Sequence, residues 1–172
     1  IVSAVSNVVG NGPLESALQG IMEDLGPPHF DEADQEFARK IRGTLTQKDI
    51  DALWRSIGMP KTDAALADFT VPLDAPRNPA IGSTDVGDVS WVVPTVQAHA
   101  PTVAIGTPFH TWQVVAQGKM PAAHKAMVQV AKAMAATGAA VLTDPQLMAA
   151  AKADFQKRVA ADGGYTSPVP PE

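Results

Sequence analysis

A glycine and a histidine frame the stretch of this chain best suited to chemistry. The stretch reads Gly106-Thr-Pro-Phe-His110 and directly follows the apolar run 102–105. That run is short, β-branched and bounded by proline and glycine, so it predicts a strand. In open α/β sheets, ligands and metals collect in the loops that follow strands. His110 is therefore a candidate zinc ligand, because a neutral imidazole binds zinc well. The alternative is a hydrogen-bonded structural histidine.

Four small or acidic residues precede a second apolar run, 89–93, which also predicts a strand. They are Ser83, Thr84, Asp85 and Asp88. The two hydroxyls could hydrogen-bond a substrate carboxylate or amide, and one aspartate could orient an imidazole or bind a substrate amine. The alternative is an ordinary turn, in which aspartate accepts hydrogen bonds from nearby backbone N–H groups. We favour the turn for Asp88.

The other histidines have simpler interpretations. His99 is expected in a surface loop, His29 at the entry of a helix, and His124 on the solvated side of a helix. The chain has no cysteine, no Ser-x-Gly elbow and no His-Glu-x-x-His motif, which argues against nucleophilic catalysis. A catalytic metal site needs three or more protein ligands, so His110 cannot form one alone.

Composition narrows the class of protein. The 172 residues suffice for one domain with a real core, and 45% hydrophobic with 18% charged residues is an ordinary globular composition. The net charge of -5 and the lack of a Lys/Arg cluster argue against nucleic acid. No apolar run approaches the length of a membrane span, and the absence of cysteine permits a reducing compartment, so we expect a cytoplasmic protein. Without an initial Met or a basic leader, we expect the chain to be a fragment.

Outside the two predicted strands, the sequence contains signals for the starts and ends of helices. Pro13 is expected at the start of the first helix, Asp31 and Thr46 as caps of the next two, and Gly138 as the C-cap of a long helix from Pro121 to about Thr137. A capping box at 143–146 predicts a final helix that ends at glycines 163–164. A further strand is predicted over 1–9. Strands alternating with helices predict an α/β fold, a central sheet flanked by helices.

The segment Ser83-Thr-Asp-Val-Gly-Asp-Val-Ser-Trp-Val-Val-Pro94 resembles a signature of the zinc-dependent amidohydrolase and peptidase family that includes aminoacylase and glutamate carboxypeptidase. The chain looks most like the p-aminobenzoyl-glutamate hydrolase branch of that family. Five further segments carry this resemblance: Val2–Asn7, Leu25–Ala38, Leu142–Pro145, Ala151–Phe155 and Tyr165–Pro170. The resemblance covers nearly the whole chain and implies only the C-terminal part of the family's full length.

This resemblance implies an α/β catalytic domain that holds two divalent metals, usually zinc, with manganese or cobalt as alternatives. It also implies an inserted lid domain that often makes a homodimer. Residues 1–9 would be the last strand of the lid, and residues 10–172 the C-terminal portion of the catalytic domain. The general-base glutamate and most metal ligands would lie in a missing N-terminal half, so the fragment alone would be inactive.

The resemblance also implies roles for individual residues. His110 would bind one metal, and Ser83, Thr84, Asp85 and Thr107 would shape the substrate pocket. Gln113 stands where many relatives have an acidic residue after the histidine. The implied activity is hydrolysis of an N-acyl amino acid such as p-aminobenzoyl-glutamate by metal-activated water. The alternative is a non-catalytic α/β interaction module of the same fold, and no nucleic-acid or membrane partner is expected.

Overall fold

The computed structural model describes residues 4–76 and 84–169, and within these ranges the chain folds as α-helices. The helices are α1 Gly12–Leu25, α2 Glu32–Arg42, α3 Gln47–Ile57, α4 Val86–Ser90, α5 Trp112–Gln117, α6 Pro121–Thr143 and α7 Pro145–Ala161. No strand occurs between residues 4 and 76 or between 84 and 169. The predicted α/β fold with a central sheet is therefore wrong for the part of the chain that the structure describes.

None of the three predicted strands forms among the described residues. The run 89–93 begins inside α4, where the buried Ser90 hydroxyl accepts a hydrogen bond from Val9 N at 2.8 Å. In the run 102–105, Ile105 N donates to Ala65 O at 2.8 Å, but Ala104 N donates to a glutamine side chain instead of a strand. Short apolar runs are ambiguous by periodicity. The described part of the third predicted strand, residues 4–9, is also irregular.

The helix starts follow the sequence closely. Asp31 caps α2 by accepting from Asp34 N at 3.0 Å, and the Asp34 side chain accepts from Asp31 N at 3.0 Å. Thr46 and Asp49 form the same reciprocal capping box at α3. These contacts satisfy backbone N–H groups that a helix leaves free at its start. The predicted caps of both helices are confirmed.

The long helix differs from its prediction at its C-terminal end. α6 continues through Gly138 to Thr143, so Gly138 is not its C-cap. Asp144, not Thr143, caps α7, because its carboxylate accepts from Gln146 N at 2.8 Å and Leu147 N at 3.2 Å. The Thr143 hydroxyl instead donates to Ala139 O at 2.8 Å. The adjacent capping candidate therefore displaced the predicted one.

α6 is also more apolar than its sequence pattern led us to expect. Over an 18-residue window its mean hydropathy is 1.3, and its 23 residues are long enough to cross a membrane. A core helix of a globular protein meets the same length and composition test. In α6, however, only 17% of that window is buried. Ala123, Ala126 and Ala133 are buried, and Lys125 forms ion pairs with Asp31 at 2.7 Å and Asp34 at 2.5 Å.

The chain forms two compact units. The first comprises the described residues of Ile1–Gln19, Ile81–Gln97 and Ala135–Glu172. Within this unit Asn11 is 1% exposed. The Asn11 side chain accepts from Leu14 N at 3.2 Å, which caps α1, and donates to Ala151 O at 2.8 Å, which joins α1 to α7.

The second unit comprises the described residues of Gly20–Ala80 and Ala98–Met134. One buried cluster joins α2, α6 and the segments around Leu66 and Ala104. A second cluster surrounds Trp54, which stacks on Phe69 with ring centroids 5.6 Å apart. Ile105 belongs to this second cluster, so the segment leading to His110 is anchored in a hydrophobic core.

Candidate functional site

His110 lies in a strained and exposed turn of the second unit. Its φ is +63°, a left-handed conformation that no other non-glycine residue adopts within 4–76 and 84–169. Such a conformation is uncommon outside glycine and is often found where a side chain must be aimed. The side chain is exposed to solvent. The backbone therefore presents the imidazole outward at a fixed point after Ile105.

The turn is tight at its other end, at Gly106. This residue has φ +92°, and a Cβ there would lie 2.7 Å from Ile50 Cα and 2.8 Å from Ile50 Cγ1. Only glycine fits such a close approach at positive φ. The turn leading to His110 is thus pressed against α3.

Gln117 holds this turn from α5 and was not identified from the sequence. It is 3% exposed. Its Oε1 accepts from Ala104 N at 2.7 Å, and its Nε2 donates to Thr107 Oγ1 at 3.2 Å and to Gln113 O at 2.9 Å. A buried amide fully paired in this way rigidifies its surroundings. The only sequence signal was a polar residue beside Val114, Val115 and Ala116 on a short helix.

Thr107 is buried, and its hydroxyl also donates to Ala104 O at 2.7 Å. Its polar side chain is therefore committed to the framework of the turn. The Gln113 side chain lies 3.5 Å from Thr44 Oγ1, so its amide faces α2's C-terminal end. Phe109 and Trp112 flank His110 in the chain and are 75% and 60% exposed.

Thr84 and Asp85 lie in the first unit, at the start of α4, and Ser83 lies outside the described residues. Thr84 O accepts from Gly87 N at 3.1 Å, and its hydroxyl accepts from Val86 N at 3.3 Å. Asp85 occupies the N-cap position but makes no side-chain capping bond, and its side chain is exposed. These candidates therefore belong to a different unit from Thr107 and His110.

Asp88 does not have the local turn role that we favoured from the sequence. Its Oδ1 accepts from Ser6 N at 3.2 Å and from the Tyr165 hydroxyl at 3.2 Å, both distant in sequence. Burial from water, and then the Asp88 carboxylate, raise the pKa of Tyr165 above its ordinary value. The phenol is thus held in its neutral, donating form.

The remaining histidines do not form a metal centre. His29, His99 and His124 are all exposed. His29 and His124 line one open groove of the second unit together with Lys125 and Lys132. Among residues 4–76 and 84–169, no three His, Asp or Glu side chains come close enough to hold a metal ion. His110 therefore needs ligands from elsewhere if it binds a metal.

Comparison with known proteins finds one similar curated protein. Over 178 aligned residues the chain is 34% identical to a curated protein, with 97% of the chain covered. That protein is one of the subunits of p-aminobenzoyl-glutamate hydrolase from Escherichia coli (strain K12). The chain spans 37% of the relative's length. No family model matches the chain, and no solved structure matches it.

Proposed function

We propose that this chain is part of a metal-dependent amidohydrolase that cleaves an amide bond of an N-acyl amino acid resembling p-aminobenzoyl-glutamate. The observation that carries this proposal is the 34% identity, over 97% of the chain, to a protein named as a hydrolase of that compound. Because the chain spans 37% of that protein, the activity would belong to a longer polypeptide. We propose the cytoplasm as its location.

In this proposal His110 binds one of two divalent metals, with zinc as the first candidate and manganese or cobalt as alternatives. Its exposed imidazole and its left-handed backbone support a role in binding. The described residues do not complete a metal centre. The other ligands and a general-base glutamate would come from polypeptide outside this chain. Metals of this kind activate water and polarise a carbonyl group.

We also propose that the substrate-binding residues are Ser83, Thr84, Asp85 and Thr107. The exposed carboxylate of Asp85 is available to a polar substrate group, since it makes no capping bond. The Thr107 hydroxyl already bonds Ala104 O and Gln117. Thr107 would therefore act by shaping the turn before His110 rather than by touching the substrate.

The experiment measures metal content and p-aminobenzoyl-glutamate hydrolysis in the intact protein that contains this sequence. We expect His110→Ala to abolish hydrolysis and to lower the occupancy of one of two metal sites. His110→Asn removes the imidazole but keeps a residue that tolerates the left-handed backbone, so it should lose metal without added strain. His99→Ala, at another exposed histidine, is the matched control and should retain both properties.

Two results would contradict the proposal. An intact protein without bound zinc, manganese or cobalt and without hydrolysis would favour a non-catalytic interaction module. Full activity in His110→Asn would leave His110 with a structural role only.

The relative is named as one subunit of a hydrolase, which is consistent with a partner protein. For this protein we propose a homodimer, which sedimentation of the intact protein would test.

A further inference from the structure

Tyr165 follows α7 in the chain and makes two contacts with the α4 region. Its hydroxyl donates to Asp88 Oδ1 at 3.2 Å. Its ring packs on Trp91, with centroids 6.3 Å apart and planes inclined by 35°. The segment after α7 is thus attached to α4 both by a polar contact and by an aromatic one.

α4 needs such contacts because it has only five residues, Val86–Ser90. A helix this short has no stability of its own. The α4 region also contacts the segment before α1: Trp91 Nε1 donates to Asn7 O at 2.9 Å, and Ser90 Oγ accepts from Val9 N at 2.8 Å. A Cβ on Gly87 would lie 1.9 Å from Ser6 O. The α4 region therefore contacts both the segment 6–9 and Tyr165.

Asp88 contacts both the segment 6–9 and Tyr165. A single carboxylate oxygen accepts from Ser6 N and from the Tyr165 hydroxyl, each at 3.2 Å. Charge-assisted hydrogen bonds of this kind are stronger than neutral ones. Removing the Tyr165 hydroxyl would leave this oxygen bonded to Ser6 N, and α4 would lose its polar link to the C-terminal segment.

The position of α4 sets the position of Thr84 and Asp85. Thr84 is bonded to α4 by its carbonyl oxygen, which accepts from Gly87 N, and by its hydroxyl, which accepts from Val86 N. We infer that Tyr165 is a positioning residue: through Asp88 and Trp91 it fixes α4 and so holds Thr84 and Asp85 in place for substrate. This inference rests on the substrate-binding role proposed above for those two residues.

The test compares wild-type intact protein with Tyr165→Phe, which keeps the ring against Trp91 and removes only the hydroxyl. Backbone hydrogen exchange is measured over 84–91 and over α7, and KM and kcat are measured with p-aminobenzoyl-glutamate. We expect exchange over 84–91 to rise about three- to ten-fold, the worth of one hydrogen bond, with α7 unchanged. KM should rise by a similar factor, while kcat changes less than about two-fold.

Two further variants separate positioning from general loss of stability. Asp88→Asn keeps a side-chain oxygen that can accept both bonds, so it should affect exchange and KM less than Asp88→Ala does. Thr143→Val removes a side-chain hydrogen bond to Ala139 O elsewhere in the chain. It should leave exchange over 84–91 and KM at their wild-type values.

Unchanged exchange over 84–91 in Tyr165→Phe would overturn the inference. Faster exchange with unchanged KM would also overturn it, because Tyr165 would then fix α4 without serving the substrate. A wild-type protein that does not hydrolyse p-aminobenzoyl-glutamate would refute the proposed function instead. In that case the exchange comparison would still decide whether Tyr165 fixes α4.

Discussion

The side-chain amide of Gln117 donates to the hydroxyl of Thr107 across 3.2 Å, in a part of the second unit where both side chains are buried. The same Gln117 accepts from Ala104 N at 2.7 Å. One side chain therefore bridges two positions just before the turn that carries His110. The geometry of that turn depends on α5 as well as on its own residues.

Replacing Gln117 by leucine should lower the free energy of unfolding by about 1 to 3 kcal/mol, because Ala104 N would be buried without its acceptor. Urea unfolding of the wild-type and variant chains measures this loss. Gln113→Leu on the same helix is the control, since its backbone carbonyl still accepts from Gln117. We expect less than about 0.5 kcal/mol for the control. Equal effects of the two changes would contradict the role given to Gln117.

Two glycines should respond in opposite directions to alanine. Gly106→Ala places a Cβ 2.7 Å from Ile50 Cα at φ +92°, so we expect a loss of about 2 to 4 kcal/mol. Gly138 lies inside α6, and nothing lies within 4 Å of its Cβ position. Gly138→Ala should therefore gain about 0.5 to 1 kcal/mol from helix propensity. Thermal unfolding of both variants checks the signs, and a stabilising Gly106→Ala would refute the close approach to α3.

The backbone at His110 should favour glycine over alanine. At φ +63° a Cβ costs roughly 1 to 2 kcal/mol. Both His110→Gly and His110→Ala lack the imidazole, so their difference isolates the backbone strain. We expect the glycine variant to be the more stable by about 1 kcal/mol in urea unfolding. An alanine variant of equal or higher stability would show that the turn relaxes to negative φ.

Lys125 should make stability depend on pH at both extremes. Hydrogen bonds with Asp31 and then Asp34 raise the pKa of Lys125 above 10.5. The stability that charged Lys125 contributes to the fold is therefore fully present below pH 10.5 and is lost as the pH rises through its raised pKa. The bond with Lys125, followed by that with Asp34 N, lowers the pKa of Asp31 below 3.8. That contribution is present above pH 3.8 and is lost as pH falls through the lowered value.

Lys125→Met should therefore be less stable than wild type at neutral pH, and the gap should narrow in strong acid and in strong alkali. Urea midpoints at acid, neutral and alkaline pH measure this. Lys132→Met, at an exposed position of the same helix, is the control, and its stability should change with pH in parallel with that of the wild type. A gap of constant size across the whole range would show that the ion pairs contribute nothing through titration.

The helix caps were predictable because their signals are local. Asp31 with Asp34, and Thr46 with Asp49, are three residues apart and need no distant partner. The strand predictions were wrong because a strand depends on a neighbouring segment that its own residues do not specify. At Ala104 that neighbour is the Gln117 side chain, and at Ser90 it is Val9 N. The α/β prediction rested on these two runs and on the strand predicted over 1–9, and it is wrong for the described residues, which contain no strand.

The residues of the candidate site were chosen from the sequence. Thr84, Asp85, Thr107 and His110 were named from the sequence, and their functional roles remain predictions. The left-handed backbone of His110 was not predicted, because no local sequence signal at a histidine indicates a positive φ. The contact between Asp88 and Tyr165 joins residues 77 positions apart, and no local pattern indicates such a pair.

The hydrogen bond between Asn11 and Ala151 spans 140 positions of sequence. During synthesis the ribosome would add those residues over about 7 to 28 s. Throughout that interval the segment around Asn11 has no α7 to pack against, whereas synthesis of the second unit ends at Met134, before α7 is made. The order of synthesis therefore favours folding of the second unit first. The Asn11 contact is then among the last to close, and closing it costs the entropy of a long loop.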